Sequence, residues 1–163
     1  NKLYNIKDRS NFDKTTLLAV MLIDEASNHE YFSHKYNVSN QLKENLNLIA
    51  KNFINVKKNK NFFLKDLKKN IYFFGKSHCM VLSILNFISS KKLRLKEYYN
   101  ITKDIKKTKV PKFAFDGNYL KEKGMKEGVL IGKTLKLIEN EWLDNNFKLS
   151  DKKISKIIEE QSR

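Results

Sequence analysis

The apolar positions along this chain recur at helical spacing. From Ser39 onward, Leu42, Leu46, Ile49, Phe53 and Val56 follow at intervals of four, three, four and three, which lines one helix face and leaves lysines on the other. A second series runs from Asn61 through Phe63, Leu64, Leu67, Ile71, Tyr72 and Phe74 and stops at Gly75. Ser77 to Ser90 is apolar nearly all round, which predicts a central core helix too short to cross a bilayer. Leu95, Tyr98, Tyr99, Ile101 and Ile105 carry the pattern over 92–105, and Ile131, Leu135, Ile138 and Trp142 carry it from about Gly128 to Asn145. Asp13 is expected to cap a short, almost wholly apolar and therefore buried helix over 13–25. The Ser150 hydroxyl is expected to open the last helix in the same way. Residues 27–38, polar and aromatic without a period, predict a loop, and Phe113 to Gly117 predicts a packed extended turn.

No segment alternates with period two, and one proline with five glycines leaves the helical ladder little interrupted. The expected fold is all-α, a helical bundle-like array of roughly seven to eight helices without a lasting sheet. Pro111 ends the run Lys106-Lys-Thr-Lys-Val-Pro111, the best boundary between a helical subdomain at 1–106 and a second at 107–163. A chain of 163 residues can bury a core, and no apolar run approaches the ~20 residues of a membrane span, so no membrane partner is expected. The opening Asn-Lys-Leu-Tyr has no initiator Met and does not read as a signal peptide, so a fragment of a longer chain is expected. The one cysteine, Cys79, cannot pair within the chain, which points to a reducing cytoplasm.

Charge alters the picture. The net charge is +15, distributed as −1 over residues 1–30, +5 over 31–60, +9 over 61–110 and +2 over 111–163. A polyanion is the expected partner of the middle of the chain. Lys outnumbers Arg thirty to three, as AT-rich coding imposes on any protein. Such bias raises Glu along with Lys, however, and Glu has not kept pace, which favours a functional basic surface over drift.

The most informative stretch is Pro111 to Phe147. Within it a short helix ends near Gly124, which can take the left-handed conformation, and Met125-Lys-Glu leads into a helix starting at Gly128. First-turn amides of that helix lack internal partners and point outward with the positive end of the dipole behind them. A glycine there lets a phosphate reach the backbone, and Lys123, Lys126 and Lys133 can neutralise it. The bend resembles a helix-hairpin-helix loop. From spacing alone a plainer reading fits equally well, with Gly124 as a helix cap and Gly128 and Gly132 as points of close helix packing.

Pro111, Phe113, Phe115, Gly117, Leu120, Gly124, Met125, Gly128, Ile131, Gly132, Leu135, Ile138 and Trp142 together resemble the tail of the bacterial-type tRNA CCA-adding nucleotidyltransferase and poly(A) polymerase family. The basic, aromatic helices upstream, with Ile71-Tyr-Phe-Phe-Gly75, are similar to that family's body region. The resemblance is strong over about forty residues and elsewhere rests on order and helical class. It departs at Tyr119, where the family usually has an acidic residue. It implies a tRNA-binding portion, body-like at 1–106 and tail-like at 107–163, gripping the acceptor arm and elbow. Lys91, Lys92, Arg94, Lys112, Lys123, Gly124, Lys126, Gly128, Lys133 and Lys136 are the expected RNA contacts. In that family a head domain of the same protein supplies catalysis, with Mg2+ held by an Asp-x-Asp pair and CTP or ATP as substrate. This chain has no Asp-x-Asp, no Arg-Arg-Asp and no glycine-rich nucleotide motif ahead of a strand, so it is expected to hold no cofactor and to be inactive alone.

Other chemistry is weaker. His29 and His34 are five apart, off the i,i+4 register, and His78 and Cys79 are adjacent and diverge, so no metal site is expected. Cys79 sits in an apolar run, where a thiol is usually packing. Asp24 and Glu25 read as a solvated helix end. Tyr98 and Tyr99, beside basic residues, offer either a ring for a base or one inward-packed side chain. The competing reading is a structural or protein-interaction helical domain with compositional charge. DNA binding is disfavoured by the lack of a recognition helix dense in Arg, Asn or Gln.

Overall fold

The computed structural model describes residues 2–24, 26–126 and 128–162. Among these there are eight α-helices and no strand, so the fold is an all-α helical array. The chain divides into two compact units, Asn1–Val110 and Pro111–Arg163.

In the first unit, two 3-10 turns, Lys2–Asn5 and Lys7–Asn11, precede α1 (Lys14–Leu22), α2 (Asn28–Lys35), α3 (Asn40–Lys58), α4 (Leu67–Ser89) and α5 (Leu95–Lys107). Helix α4 packs chiefly against α5 and α3, while α1 lies against both α3 and α4. The α3 stripe read from the sequence is buried at Leu46, Ile49, Phe53 and Val56, and the Ser39 hydroxyl caps the helix by accepting from the Leu42 amide at 3.3 Å. The centre of α4 is core on every side: Cys79, Leu82, Ser83, Leu85 and Phe87 are each at most 1% exposed. Residues 67–75 and 76–89 form one 23-residue element broken at Gly75 (φ 80°, ψ 163°). The sequence reading treated them as separate pieces. Joined, they are long and apolar enough to cross a membrane by length and composition alone, although the second piece is the centre of this core.

Three expectations for this unit need correction. Residues 27–38 contain helix α2 and not only a loop. Its inward face is made of His29 and Ser33, 5% and 4% exposed, so burial here leaves no apolar period to read. The Ser33 hydroxyl donates to the His29 carbonyl at 2.7 Å. Helix α1 is capped as expected, with the Asp13 carboxylate accepting from the Thr16 amide at 2.6 Å, but it is not buried all round. Met21 is 78% exposed, because only the Thr16–Ala19 side faces α3 and α4. Finally, 61–66 are turns, with the helix starting at Leu67. Asn59 donates to Asp66 and accepts from the Asn61 amide, and Asn70 donates to the Phe62 carbonyl. These local side-chain bonds outcompete the helical ladder while burying Phe62 and Phe63.

The second unit holds α6 (Gly117–Glu122), α7 (Val129–Asp144) and α8 (Asp151–Ser162). Its core is Leu120, Met125, Ile138, Ile154 and Ile158, with Phe113, Phe115, Ile131 and Leu135 packed against it. Residues 113–116 lie outside any helix, as expected, with Gly117 already in α6, and the rings are fixed by contacts Phe113–Trp142 and Phe113–Phe115, both at 5.3 Å. Helix α7 ends at Asn146 (φ 56°), where the Phe147 amide donates back to the Trp142 carbonyl at 2.7 Å and the two rings meet edge-on.

Two outcomes test this core. Leu82→Ala should cost about 2–5 kcal/mol in urea unfolding followed by circular dichroism, whereas Met21→Ser should change stability by less than about 0.5 kcal/mol. The second concerns His78, whose ring nitrogen Nε2 lies 3.1 Å from the buried Asn52 amide nitrogen. Burial holds its pKa below the usual histidine value of 6.5. Below that pH the unfolded chain binds a proton that the folded chain refuses, so stability should fall as pH drops from about 7 toward 5. His78→Gln should flatten that slope in urea midpoints, and an unchanged slope would refute the assignment.

Candidate nucleic-acid interface

The bend between α6 and α7 is built by a specific cap. Asp116 opens α6 by accepting from the Tyr119 amide at 2.9 Å. At the other end the Gly124 amide donates to the Lys121 carbonyl at 2.9 Å and the Met125 amide to the Leu120 carbonyl at 3.0 Å. This pair of bonds is a Schellman motif, which requires the left-handed backbone of Gly124 (φ 91°). Its apolar clasp is Met125 against Leu120, 6% and 0% exposed. The Tyr119 side chain packs on Phe115, with the Lys123 ammonium 5.7 Å from its ring centre. The turn is therefore closed by backbone bonds and Met125, without a carboxylate at 119.

Gly124 and Gly128 are both exposed, and Gly128 opens α7 with φ 141°. A Cβ added at Gly124, Gly128 or Gly132 would meet nothing within 4 Å. Close packing between helices is thus not what these glycines serve. Positive φ accounts for the first two, while Gly132 sits in helical backbone in open space. The first-turn amides of α7 at Val129 and Leu130 begin at this exposed edge, where a helix carries partial positive charge. Glu127, between the two glycines, lies outside the described residues.

Lys123 and Lys126 flank the bend and are exposed. Lys133 and Lys136 are exposed on the outward face of α7, in register with Val129. Lys112 does not join them. It borders a hollow of about 300 Å³ with Trp142, Phe147 and Lys148 at the far end of α7, a helix roughly 24 Å long at 1.5 Å per residue. Charge within this unit is graded: residues 111–136 carry six lysines against three acids, whereas 137–163 carry five basic and six acidic groups. Glu141 accepts from Lys153 and from Asn145, and both partners hold its pKa below the usual range.

The remaining expected contacts belong to the first unit. Lys91 and Lys92 are exposed in the α4–α5 loop. Arg94 is exposed but engaged: its amide and guanidinium donate to the two Glu97 oxygens at 2.8 and 2.9 Å, capping α5 and lowering the Glu97 pKa. Tyr98 cannot offer its ring to a base, being 3% exposed and stacked on Phe87 at 4.9 Å. Tyr99 is half-buried, and its hydroxyl accepts from the Lys7 amide. Burial pushes the Cys79 thiol up to about 11, which leaves it protonated and unreactive.

The sequence reading missed two residues beside the bend. Val129 is 78% and Leu130 49% exposed at the first turn of α7, forming an aliphatic lip next to Gly128. The available signal was register: both stand outside the Ile131, Leu135, Ile138, Trp142 stripe.

No protein-family model, no curated protein and no solved structure matches this chain.

The glycine geometry separates two substitutions that look alike in sequence. Gly124→Ala should destabilise this unit by about 1 kcal/mol or more, because alanine resists positive φ. Gly132→Ala should stabilise it by about 1 kcal/mol, as expected for an unhindered helical site. Trp142, the single tryptophan, reports both by fluorescence melting.

Proposed function

We propose that this chain is the tRNA-binding portion of a tRNA nucleotidyltransferase of the CCA-adding type, whose catalytic head is a separate part of the parent protein. The observation that carries the reading is the exposed Gly124–Gly128 bend, flanked by Lys123 and Lys126 and opening the amide end of α7. Such an edge suits a sugar-phosphate strand. Free amides donate to phosphate oxygens, the helix dipole favours the anion, and lysines neutralise it without reading a base. The resemblance of Pro111 to Phe147 to the family's tail adds the substrate class.

A second support is the charge of the first unit. Residues 31–110 carry a net +14, and α3 and α5 expose Lys43, Lys51, Lys58, Lys96 and Lys103. A double-stranded acceptor arm is recognised by shape and phosphate, so lysines need no exact register. In this reading each unit contributes phosphate contacts to tRNA, the first unit along the acceptor arm and the bend at the elbow. Mg2+ and CTP or ATP belong to the head. This chain, without an Asp-x-Asp pair, positions RNA and transfers no nucleotide. The proposed compartment is the cytoplasm.

Titration of tRNA at about 50 and 200 mM salt tests the reading. Affinity should fall steeply, by about 10²-fold or more, and vary little between tRNA sequences. Replacing Lys123 and Lys126 by Ala together should reduce the salt slope by about two units without moving the Trp142 melting transition. Gly132→Ala sharpens the test, since a side chain in the strand's path should weaken tRNA binding while stabilising the fold. Equal affinity at both salts, or no binding at the lower one, would overturn the proposal and favour a structural or protein-binding role.

A further inference from the structure

The first unit contains a cavity of about 630 Å³ that RNA binding leaves unused. Its floor is buried: Thr16 of α1, Ile49 of α3, Val81 and Ile84 of α4, and Tyr98 and Thr102 of α5. Its rim is exposed and includes Asp8, Asp13 and Lys106. The volume falls inside the ~300–1,000 Å³ range of small-molecule sites, and apolar walls with a few convergent polar groups are the usual lining of such sites.

Two groups on the lining have hydrogen-bonding capacity to spare. Tyr98 is 3% exposed, and its ring is fixed by stacking on Phe87. Among the described residues no group bonds its hydroxyl, which burial keeps as a neutral phenol, pushed up to about 12. Among the described residues the buried side-chain nitrogen or oxygen left without a partner is His29 Nδ1, so the Tyr98 hydroxyl opens to the cavity, where a ligand can replace water on it. His78 also lines the cavity. The Asn52 amide nitrogen can only donate, so Nε2 of His78 accepts and the ring proton sits on Nδ1 as a second donor. Across the mouth, Asp8 and Asp13 supply carboxylates against one lysine, an acidic balance in a chain of net charge +15. Asp13 accepts from both the side chain and the amide of Thr16, which hold its pKa below the usual value, and the remaining lone pairs of its two oxygens are left for a ligand.

We propose that this cavity binds a flat aromatic amine or amidine, its ring against Ile49, Val81 and Ile84, its N–H groups on the Asp8 and Asp13 carboxylates and a further N–H on the Tyr98 hydroxyl oxygen. Forked N–H donors match a carboxylate with two parallel bonds, which selects against neutral and anionic rings of equal size. The inference does not depend on the tRNA reading, because it uses none of the bend residues.

Calorimetric titration of the full chain with 2-aminobenzimidazole tests it, with benzimidazole and benzoate as controls. One saturable site is expected for the amine, with benzimidazole about tenfold weaker or worse and benzoate silent. Asp8→Asn removes charge at an exposed position, and Asp13→Asn removes charge while keeping a side chain that caps α1. Each should weaken the amine about tenfold, and Tyr98→Phe should weaken it several-fold, with unchanged circular dichroism in all three. No saturable heat, equal binding of benzoate, or undiminished affinity in both aspartate variants would overturn the proposal.

Discussion

Burial of α4 from Cys79 to Phe87 is the constraint on which the first unit depends. A helix apolar on all sides has no face to give to water, so each neighbour must present an apolar stripe to it. α3 does so with Leu46, Ile49, Phe53 and Val56, and α5 with Tyr98 and Ile105. Cys79 and Ser83, both fully buried, are the small residues that let partners approach, and the Ser83 hydroxyl is satisfied by the Met80 carbonyl one turn back. The N-terminal turns are drawn in by the same demand. Lys2 donates to the Ser90 and Leu93 carbonyls, and Ile6 is buried with Ile84 and Phe87. Once each stripe faces inward, the remaining positions of α3 and α5 face water, and lysine is the commonest charged residue among them, with Glu44 and Asp104 the exposed acids. The basic surface is therefore a consequence of amphipathic geometry combined with residue choice.

The second unit is held in a different way. Fifty-three residues have room for only a small core, and its helices are turned by backbone closures as much as by packing. The same pair of bonds, from the first and second residues past the cap, ends α6 at Gly124 and α7 at Asn146, and in the first unit ends α2 at Asn37. In the second unit each closure has an apolar clasp, Met125 on Leu120 and Phe147 on Trp142. Asparagine accepts the left-handed conformation at two of the three sites. The third, at Gly124, uses glycine, which takes positive φ without steric cost.

Legibility followed burial chemistry. Helices with Leu, Ile and Phe on the inner face, α3, α5 and α7, could be read from spacing, and so could the cap of α3 at Ser39 and that of α1 at Asp13. α2 could not, because its inner face is His29 and Ser33, and periodicity detects only apolar burial. The turn at 61–66 was hidden for the opposite reason. Its phenylalanines are buried at helical spacing, but hydrogen bonds from Asn59, Asn61 and Asn70 decide the backbone. Within the candidate interface, the conformation of Gly124 followed from the sequence, whereas the stranded position of Lys112 did not. A residue one step past Pro111 in an extended segment can reach either end of α7, and only the Phe113–Trp142 contact selects the end distant from the bend.

The resemblance motif can be weighed residue by residue on this basis. Phe113, Phe115, Leu120, Met125, Ile131, Leu135, Ile138 and Trp142 are accounted for by packing, and any helical unit of this size needs such residues. Gly124 is accounted for by its cap, and Gly128 by its φ. Gly132 has neither a positive φ nor a neighbour that a methyl group would strike, and in a helix interior glycine costs stability relative to alanine. It lies one turn into α7, on the same stretch as the exposed Gly128, Val129 and Lys133. A residue that weakens the helix where nothing in the fold requires it is explained most simply by something outside the chain that must come close to the backbone. The proposed tRNA strand would supply such a neighbour, with Lys133 and Lys136 exposed close by.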